Sequence, residues 1–185
     1  MSGNGSQRPL SDDETVWFAM RVTYRREMKA KRLLDEAGIE NFVPLRFAVR
    51  YRYGRKVKEL VPVVRGLIFV HSTGPEIQRV KSGMPYLQYI MDKRLGAKIV
   101  VPEKQMRLFI AVTGTYDEHL LWFQGDELNL KKGDRVRIVA GEFEGYEGVF
   151  VKVRGARDRR VVVAIEGVIA VALATVSPDL IEVIG

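Results

Sequence analysis

The N-terminal part of the chain begins with an apolar stretch of strand character, followed by one of helix character. Residues 15–22 (TVWFAMRV) are rich in β-forming side chains and predict a first strand. From Arg25 to Ala37 the apolar side chains recur at i, i+3, i+4 and i+7, which is the spacing of one helix face. Gly38 is placed to end this helix, because glycine adopts the left-handed conformation without steric cost.

A short strand, a hairpin and a buried strand are predicted after this helix. Residues 42–45 predict a short strand at the start or edge of a sheet, since Pro44 cannot donate a hydrogen bond to a neighbour. Residues 46–61 mix apolar and charged side chains around a turn at Gly54, which predicts a protruding hairpin. Residues 66–70 (GLIFV) are continuously apolar and predict a buried central strand.

The alternation of strands and helices continues to about residue 113. Residues 74–82 predict a short helix, residues 86–91 predict a strand, and Pro102 opens a last helix with one apolar face. The resulting order is βαβββαβα. It predicts an α+β fold in which helices pack on an antiparallel sheet, and it assigns residues 15–113 to one domain.

Residues 114–128 lose this periodicity and are loop-like and acidic, which predicts a linker. Within this acidic segment, residues 120–123 (LLWF) are apolar. We expect the aromatic pair, Trp122 and Phe123, to dock on one of the domains, so that the linker is not freely flexible.

A second domain is predicted for residues 129–185, where apolar and polar side chains alternate around a glycine-rich segment. The predicted strands are residues 135–139, 149–153, 160–166, 168–175 and 180–184. Gly141, Gly145 and Gly148 lie between the first two strands and predict a tight corner or bulge. We therefore expect a small five-stranded, SH3-like β-barrel.

Positive charge is concentrated in the N-terminal part. The net charge is +7, yet residues 129–185 hold nine Lys and Arg against eight Asp and Glu, so +6 belongs to residues 1–128. Two clusters carry most of it: Arg21, Arg25, Arg26, Lys29, Lys31 and Arg32, and, on the hairpin, Arg46, Arg50, Arg52, Arg55, Lys56 and Lys58. Such clusters attract phosphate backbones or acidic protein faces, although a solvated surface is the alternative for any single residue.

The composition disfavours several classes of function. Cysteine is absent and the two histidines, His71 and His119, lie far apart in sequence, which argues against metal sites and serine–histidine hydrolases. No acidic pair is placed for catalysis, so we expect no enzyme activity and no cofactor. Residues 1–14 predict a polar, disordered tail without a secretory signal. No apolar run has the length of a membrane span, and we expect a cytoplasmic protein.

Residues 133–148 carry a motif that resembles a known one. Their pattern, Gly-Asp-x-Val-x-Ile-x-x-Gly-x-Phe-x-Gly-x-x-Gly, is similar to the KOW motif of NusG-type transcription elongation factors and of some ribosomal proteins. Alone, the motif implies binding to nucleic acid or to a ribosome-associated protein. The alternative is a generic SH3-like barrel whose glycines serve only geometry.

The N-terminal domain resembles the NusG/RfaH family over nearly its whole length, residues 15–112. Residues 17–22 (WFAMRV), 38–45 (GIENFVPL) and 64–70 (VRGLIFV) follow the family's order, and the KOW motif follows at the family's distance. The resemblance implies a non-enzymatic transcription elongation or antitermination factor.

Other segments look more like one branch of this family. Residues 91–101, 101–106 (VPEKQM) and 167–172 (GVIAVA) are similar to the UpxY-type paralogues, which act as antiterminators on capsular polysaccharide operons. Housekeeping NusG and such a specialised paralogue share the other features, so both remain open.

The resemblance implies a polymerase-binding surface. In this family an apolar depression of the N-terminal domain grips the clamp helices of the largest RNA polymerase subunit. By position, Leu67 and Phe69 belong to this depression, with Arg21 and Lys29 near its rim. Arg65 and Leu67 stand where the family usually has proline and tyrosine, so an aromatic anchor is lost. Ordinary core packing of Leu67 and Phe69 is the alternative.

The resemblance also implies a partner for the KOW domain, either a small-subunit ribosomal protein or the terminator Rho. Phe143 matches a family contact residue, and Tyr146 lies close to it. Because Phe143 stands between two glutamates in a glycine loop, we expect it to be exposed and available to a partner. The alternative is a plug that caps the end of the barrel.

The basic hairpin is the predicted contact with nucleic acid near the transcription bubble. Alternate side chains of a strand share a face, so Arg50 and Arg52 should project together, with Arg55 and Lys56 at or near the turn. The alternative is a ribosome- or RNA-binding module without a polymerase role, whose RNA-binding arm would be this hairpin. We expect a monomer without membrane association.

Overall fold

A computed structural model of the protein describes residues 11–124, 133–153, 157, 159–165, 168–173, 176 and 178–184. Most of the predicted tail, residues 1–10, and the end of the predicted linker, residues 125–128, lie outside the described residues. The remainder forms an N-terminal α+β unit followed by a C-terminal β unit, which confirms the predicted fold class.

The N-terminal unit contains three helices and nine strands within the described residues. They are β1 (Val16–Val22), α1 (Glu27–Glu36), β2 (Asn41–Phe42), β3 (Leu45–Arg52), β4 (Arg55–Pro62), β5 (Leu67–Ser72), α2 (Gly74–Lys81), β6 (Leu87–Tyr89), β7 (Met91–Asp92), β8 (Ala97–Lys98), β9 (Val100–Val101) and α3 (Glu103–Thr113). In the parts of the chain that the structure describes, no helix has the length and apolar character of a membrane span.

Strand β1 organises the N-terminal sheet. It pairs antiparallel with β5 on one edge and with β6 and β9 on the other, and β2 extends the sheet beyond β5. Even-numbered residues of β1 and β5 pack with α1 and α2 on one face, and odd-numbered residues pack with α3 on the other. Residues 16–20 of β1 and 67–70 of β5 are therefore apolar without a break, as predicted for residues 66–70.

Among the described strands, β3 and β4 pair only with each other and form the predicted hairpin, called here the ribbon. Its two turn residues, Tyr53 and Gly54, have φ angles of +52° and +74°. Positive φ at both central residues is the mark of a two-residue type I′ turn, whose twist matches that of the flanking strands.

In the described part of the chain, the C-terminal unit is one antiparallel sheet of six strands in the order β10-β14-β13-β12-β11-β15. The strands are β10 (Leu121–Gln124), β11 (Asp134–Ile138), β12 (Glu147–Lys152), β13 (Arg159–Ile165), β14 (Ile169–Leu173) and β15 (Ile181–Val183). The sixth strand is β10, a segment predicted to belong to the linker. It pairs along β14 from Leu121 opposite Ala172 to Gln124 opposite Ile169, and so covers an edge that would otherwise be open.

The glycine-rich segment forms the predicted corner between β11 and β12. Gly141 and Gly145 have φ angles of +92° and +83°, and the Gly145 N–H donates to the Ile138 carbonyl at 2.7 Å. Gly148 serves a different purpose. A Cβ at this position would lie 2.7 Å from the carbonyl oxygen of Val162, so glycine allows β12 and β13 to approach closely.

Replacing Gly66 by alanine tests a similar close approach at the entry to β5. Gly66 has a φ of +76°, and a Cβ there would lie 2.7 Å from the Val22 carbonyl oxygen. We expect Gly66→Ala to lower the free energy of unfolding by more than the ~1–2 kcal/mol of left-handed strain alone. Gly38→Ala is the matched control, because Gly38 has a φ of +71° and, its chain neighbours aside, no described atom lies within 4 Å of such a Cβ. Equal losses in urea unfolding would contradict this account.

Candidate functional site

The ribbon has two chemically different faces. Arg52 lies opposite Arg55 in the strand register, and Arg50 precedes Arg52 by two positions, so all three share one face. Lys56 lies opposite Tyr51 and belongs to the other face. Of the four residues predicted to contact nucleic acid, three arginines therefore share one face and Lys56 lies on the other. The strand register set by the two-residue turn determines this division.

Of the carboxylates in the described ranges, Glu59 alone forms ion pairs with these arginines. Glu59 Oε1 is 2.8 Å from Arg50 Nε, and Glu59 Oε2 is 3.1 Å from Arg52 Nη2. Since Arg46 and Arg55 belong to the same face by register, one negative charge accompanies four positive ones. The face stays positive, and its arginines are exposed to solvent. We call it the arginine face.

The base of the ribbon is held by the segment that leads from α3 to β10. The Phe47 and Tyr116 rings meet edge to face with centroids 6.0 Å apart. Lys58 Nζ lies 4.4 Å from the Phe47 ring centroid and also forms an ion pair with Glu118. The hydrogen bond from Lys58 lowers the pKa of the Glu118 carboxyl below its ordinary value. The base is thus anchored, while the tip projects.

Leu67 and Phe69, predicted for the apolar depression, lie on the α3 side of the N-terminal sheet. Only 3% of Leu67 and 0% of Phe69 is exposed. Phe69 meets Phe109 of α3 with ring centroids 5.9 Å apart. In this arrangement α3 packs over the surface to which both side chains belong.

The two predicted rim residues lie on different sides of the sheet. Arg21 is exposed and lies opposite Leu67 in the register of β1 and β5, so the two share a face. Lys29 is exposed on α1, which packs on the opposite face. The structure therefore brings Arg21, but not Lys29, next to Leu67.

Helix α3 also contacts the C-terminal sheet. The Phe109 ring centroid lies 6.3 Å from that of Trp122 on β10. Gln105 Nε2 donates to the Ala164 carbonyl of β13 at 2.5 Å. The predicted docking of Trp122 is confirmed. The contact of α3 with β13 was not predicted, because Gln105 alone carries no sequence signal for a partner 59 residues away.

The prediction that Phe143 is exposed is wrong. Only 8% of its surface is accessible, and it belongs to a buried apolar cluster. The corner turns back on itself, since the Tyr146 N–H donates to the Phe143 carbonyl at 3.1 Å. The Phe143 and Tyr146 rings then lie 6.1 Å apart, and Tyr146 is partly buried. Glycine corners allow the chain to fold its aromatic side chain inward despite the flanking glutamates.

A polar cluster that sequence analysis missed ties the start of α3 to the N-terminal sheet. His71 Nδ1 lies 2.7 Å from Glu40 Oε2, and the His71 ring stacks on Trp17 at 4.8 Å. Arg107 Nη1 lies 3.0 Å from Glu40 Oε1, and Arg107 Nε lies 2.6 Å from Glu103 Oε1. The hydrogen bond from Arg107 lowers the pKa of the Glu103 carboxyl.

A sequence model of one protein family, described as "Transcription termination factor nusG", matches residues 15–110. This match covers more than half of the chain. The protein belongs to the NusG family. The matched residues run from the start of β1 into α3, so they contain the whole N-terminal sheet, the ribbon and the surface around Leu67.

A solved NusG structure is also similar to this member of the NusG family. It is described as "Domain interaction in Thermotoga maritima NusG" and is 22% identical in sequence, with a TM-score of 0.47. The similarity covers 95% of this chain and 100% of that chain. No curated protein matches this chain in sequence.

NusG-family proteins are transcription elongation and antitermination factors rather than enzymes, and they act with RNA polymerase. Membership therefore gives this chain a role in transcription. Within the described ranges, no group of three histidine, aspartate or glutamate side chains could hold a metal ion. Three surfaces carry most of the predicted site residues: the ribbon, the face of the N-terminal sheet that carries Leu67 and Phe69, called here the Leu67 face, and the glycine corner.

Glu147 joins the C-terminal sheet of this NusG-family protein to α3. Its Oε1 lies 3.2 Å from Arg137 Nη2 and 3.9 Å from Lys104 Nζ, and its Oε2 lies 3.4 Å from Arg135 Nη2. The hydrogen bond from Arg137, followed by the charge of Lys104, lowers the pKa of the Glu147 carboxyl below its usual 4.5.

This lowered pKa predicts a stability difference that depends on pH. A carboxylate with a lower pKa in the folded state stabilises the protein above its unfolded pKa, and the contribution is lost as pH falls through the folded pKa. We therefore expect Glu147→Gln to reduce stability at neutral pH and to match the wild type once pH is well below about 4. Urea unfolding at both pH values measures this, with Glu142→Gln on the exposed loop as control. A difference that persists in acid would contradict it.

Proposed function

We propose that this protein is a non-enzymatic transcription elongation or antitermination factor. Its N-terminal domain, residues 15–113, binds the clamp helices of the largest RNA polymerase subunit. Residues 114–128, whose strand β10 pairs with the C-terminal sheet, connect it to a KOW domain, residues 129–185, which recruits a second partner. The family match over residues 15–110 carries this proposal. We propose the cytoplasm as its place of action and a monomer as its form.

The proposed polymerase surface is the α3 side of the N-terminal sheet, at Leu67 and Phe69, with Arg21 at its edge. Because Phe109 of α3 packs on Phe69, Leu67 is buried in the same cluster, and the C-terminal sheet contacts α3, binding there requires this part of the structure to open. The junction includes the Gln105 amide hydrogen bond and the Lys104–Glu147 ion pair. Polar contacts of this kind are typical of interfaces between domains that separate.

Charge reversal at two exposed positions tests which face meets the polymerase. We expect Arg21→Glu to weaken binding to purified RNA polymerase and to isolated clamp helices, because Arg21 lies beside Leu67. Lys29→Glu is the matched control, since it makes the same charge change on the opposite face and should leave binding within about twofold. Both positions are exposed, so stability should change by less than ~0.5 kcal/mol. Loss of polymerase binding with Lys29→Glu, but not with Arg21→Glu, would place the interface on α1 instead.

The proposed KOW partner is a small-subunit ribosomal protein or Rho, and its contact is the loop at residues 141–146. Because Phe143 is mostly buried, its proposed role is to stabilise the conformation of this loop. Tyr146, together with the exposed Glu142 and Glu144, presents the surface to the partner. This assignment follows from the loop geometry combined with the family resemblance.

The arginine face is the proposed contact with nucleic acid near the transcription bubble, where it adds affinity through phosphates without selecting bases. Each phosphate neutralised contributes about −0.9 to the slope of log affinity against log salt for duplex DNA. Replacing Arg50, Arg52 and Arg55 with serine should therefore make the slope shallower for binding to a complete elongation complex. Binding to isolated clamp helices should not change. Identical slopes for wild type and variant would exclude this face from the contact.

The basic ribbon by itself also fits a ribosome- or RNA-binding module without a polymerase role. Affinity capture from lysate after RNase treatment separates the two functions. Polymerase subunits should remain bound if the elongation-factor proposal is right, and they should be lost if RNA alone connects them to this protein.

A further inference from the structure

The second face of the ribbon, opposite the arginine face, combines apolar rings with lysines. Val49 lies opposite Lys58 and Tyr51 lies opposite Lys56, so these four side chains share it by register. Tyr53 follows at the tip, in the turn. We call Tyr51, Tyr53 and Lys56 the tyrosine tip.

The tyrosine tip is unusually exposed for aromatic side chains. Tyr51 is 69% exposed and Tyr53 is 103% exposed, whereas Phe47 at the base of the same ribbon is held against Tyr116. The rings at the tip therefore contribute little to stability through burial. Exposed aromatic groups placed together on a projecting element mark a surface that meets a partner.

The charges around these rings indicate what the partner is. Lys56 Nζ lies 5.9 Å from the Tyr51 ring centroid, and Arg52 and Arg55 flank the turn. Rings interleaved with cations are the combination that binds single-stranded nucleic acid, because bases stack on the rings while cations neutralise the phosphates. A duplex keeps its bases stacked on each other, so it offers phosphates to the arginine face but no free base face to the tyrosines.

We propose that Tyr51 and Tyr53 stack on unpaired bases of a single-stranded nucleic acid, while Lys56 contacts its phosphates. This inference rests on the proposed nucleic-acid contact of the ribbon and specifies its ligand. The two faces then have different roles. The arginine face binds the phosphate backbone of single or double strands, and the tyrosine tip distinguishes unpaired from paired strands.

An abasic oligonucleotide separates stacking from charge, since it keeps the phosphates and lacks the bases. The full-length chain is titrated, by fluorescence anisotropy, against a labelled single strand of about 12 nucleotides, its abasic form and the matching duplex, each as DNA and as RNA. We expect the wild type to bind the intact strand at least tenfold more tightly than the abasic one, because stacking on one ring accounts for about tenfold. The DNA and RNA arms show which strand is preferred.

Two double variants make the result specific. Tyr51→Ala with Tyr53→Ala should bind intact and abasic strands equally, with duplex binding unchanged. Tyr51→Phe with Tyr53→Phe keeps the rings and should retain the preference. Both positions are exposed, so the fold should persist, which circular dichroism checks.

Several results would overturn the inference: no binding of the wild type to any single strand, equal binding of intact and abasic strands, or phenylalanine variants that behave like the alanine variants. Loss of polymerase binding by the alanine variant, without change toward oligonucleotides, would assign the tip to a protein contact instead. The Arg50, Arg52 and Arg55 to serine variant keeps the outcomes separate. This variant should bind the intact strand, the abasic strand and the duplex more weakly than the wild type does. Unchanged affinity for all three would refute the arginine-face proposal, but it would not affect the conclusion about stacking.

Discussion

The packing of Phe109 is the interaction on which the arrangement of the two units depends. One ring on α3 meets Phe69 and Phe42 of the N-terminal sheet and Trp122 of the C-terminal sheet, at centroid distances of 5.9, 6.4 and 6.3 Å. Aromatic pairs of this geometry contribute about 0.5–1.5 kcal/mol each beyond the area that they bury. Because the same side chain serves both units, uncovering the Leu67 face and releasing the C-terminal sheet are energetically linked.

The ribbon is tied to the same junction. Its base contacts Tyr116 and Glu118, in the segment that leads from α3 to β10. Its tip extends from the sheet and carries arginines on one face and tyrosines with Lys56 on the other. The side chains separate in this way because alternate residues of a strand point in opposite directions. A projecting element with an anchored base can present both faces to a ligand without weakening the core.

Patterns between near neighbours predicted most of the regular elements. The ribbon, its turn at Gly54, the buried strand β5 and the helices α1–α3 follow from spacing and turn chemistry that act within a few residues. The errors occur where residues distant in the chain determine burial or strand pairing. Phe143 has acidic neighbours, yet the corner folds it into a buried cluster, and residues 121–124 lie in an acidic stretch, yet β14 offers them an edge to pair with.

The amino-acid sequence by itself determined the family, the α+β and β character of the two units, and the location of positive charge, since each depends on local composition and order. The tertiary structure decided that Arg21 and Lys29 belong to opposite faces, that Lys56 joins Tyr51 rather than the arginines, and that His71, Glu40 and Arg107 meet. The reason is physical: strand register, turn type and helix placement bring together residues far apart in the chain, and no local pattern contains that information.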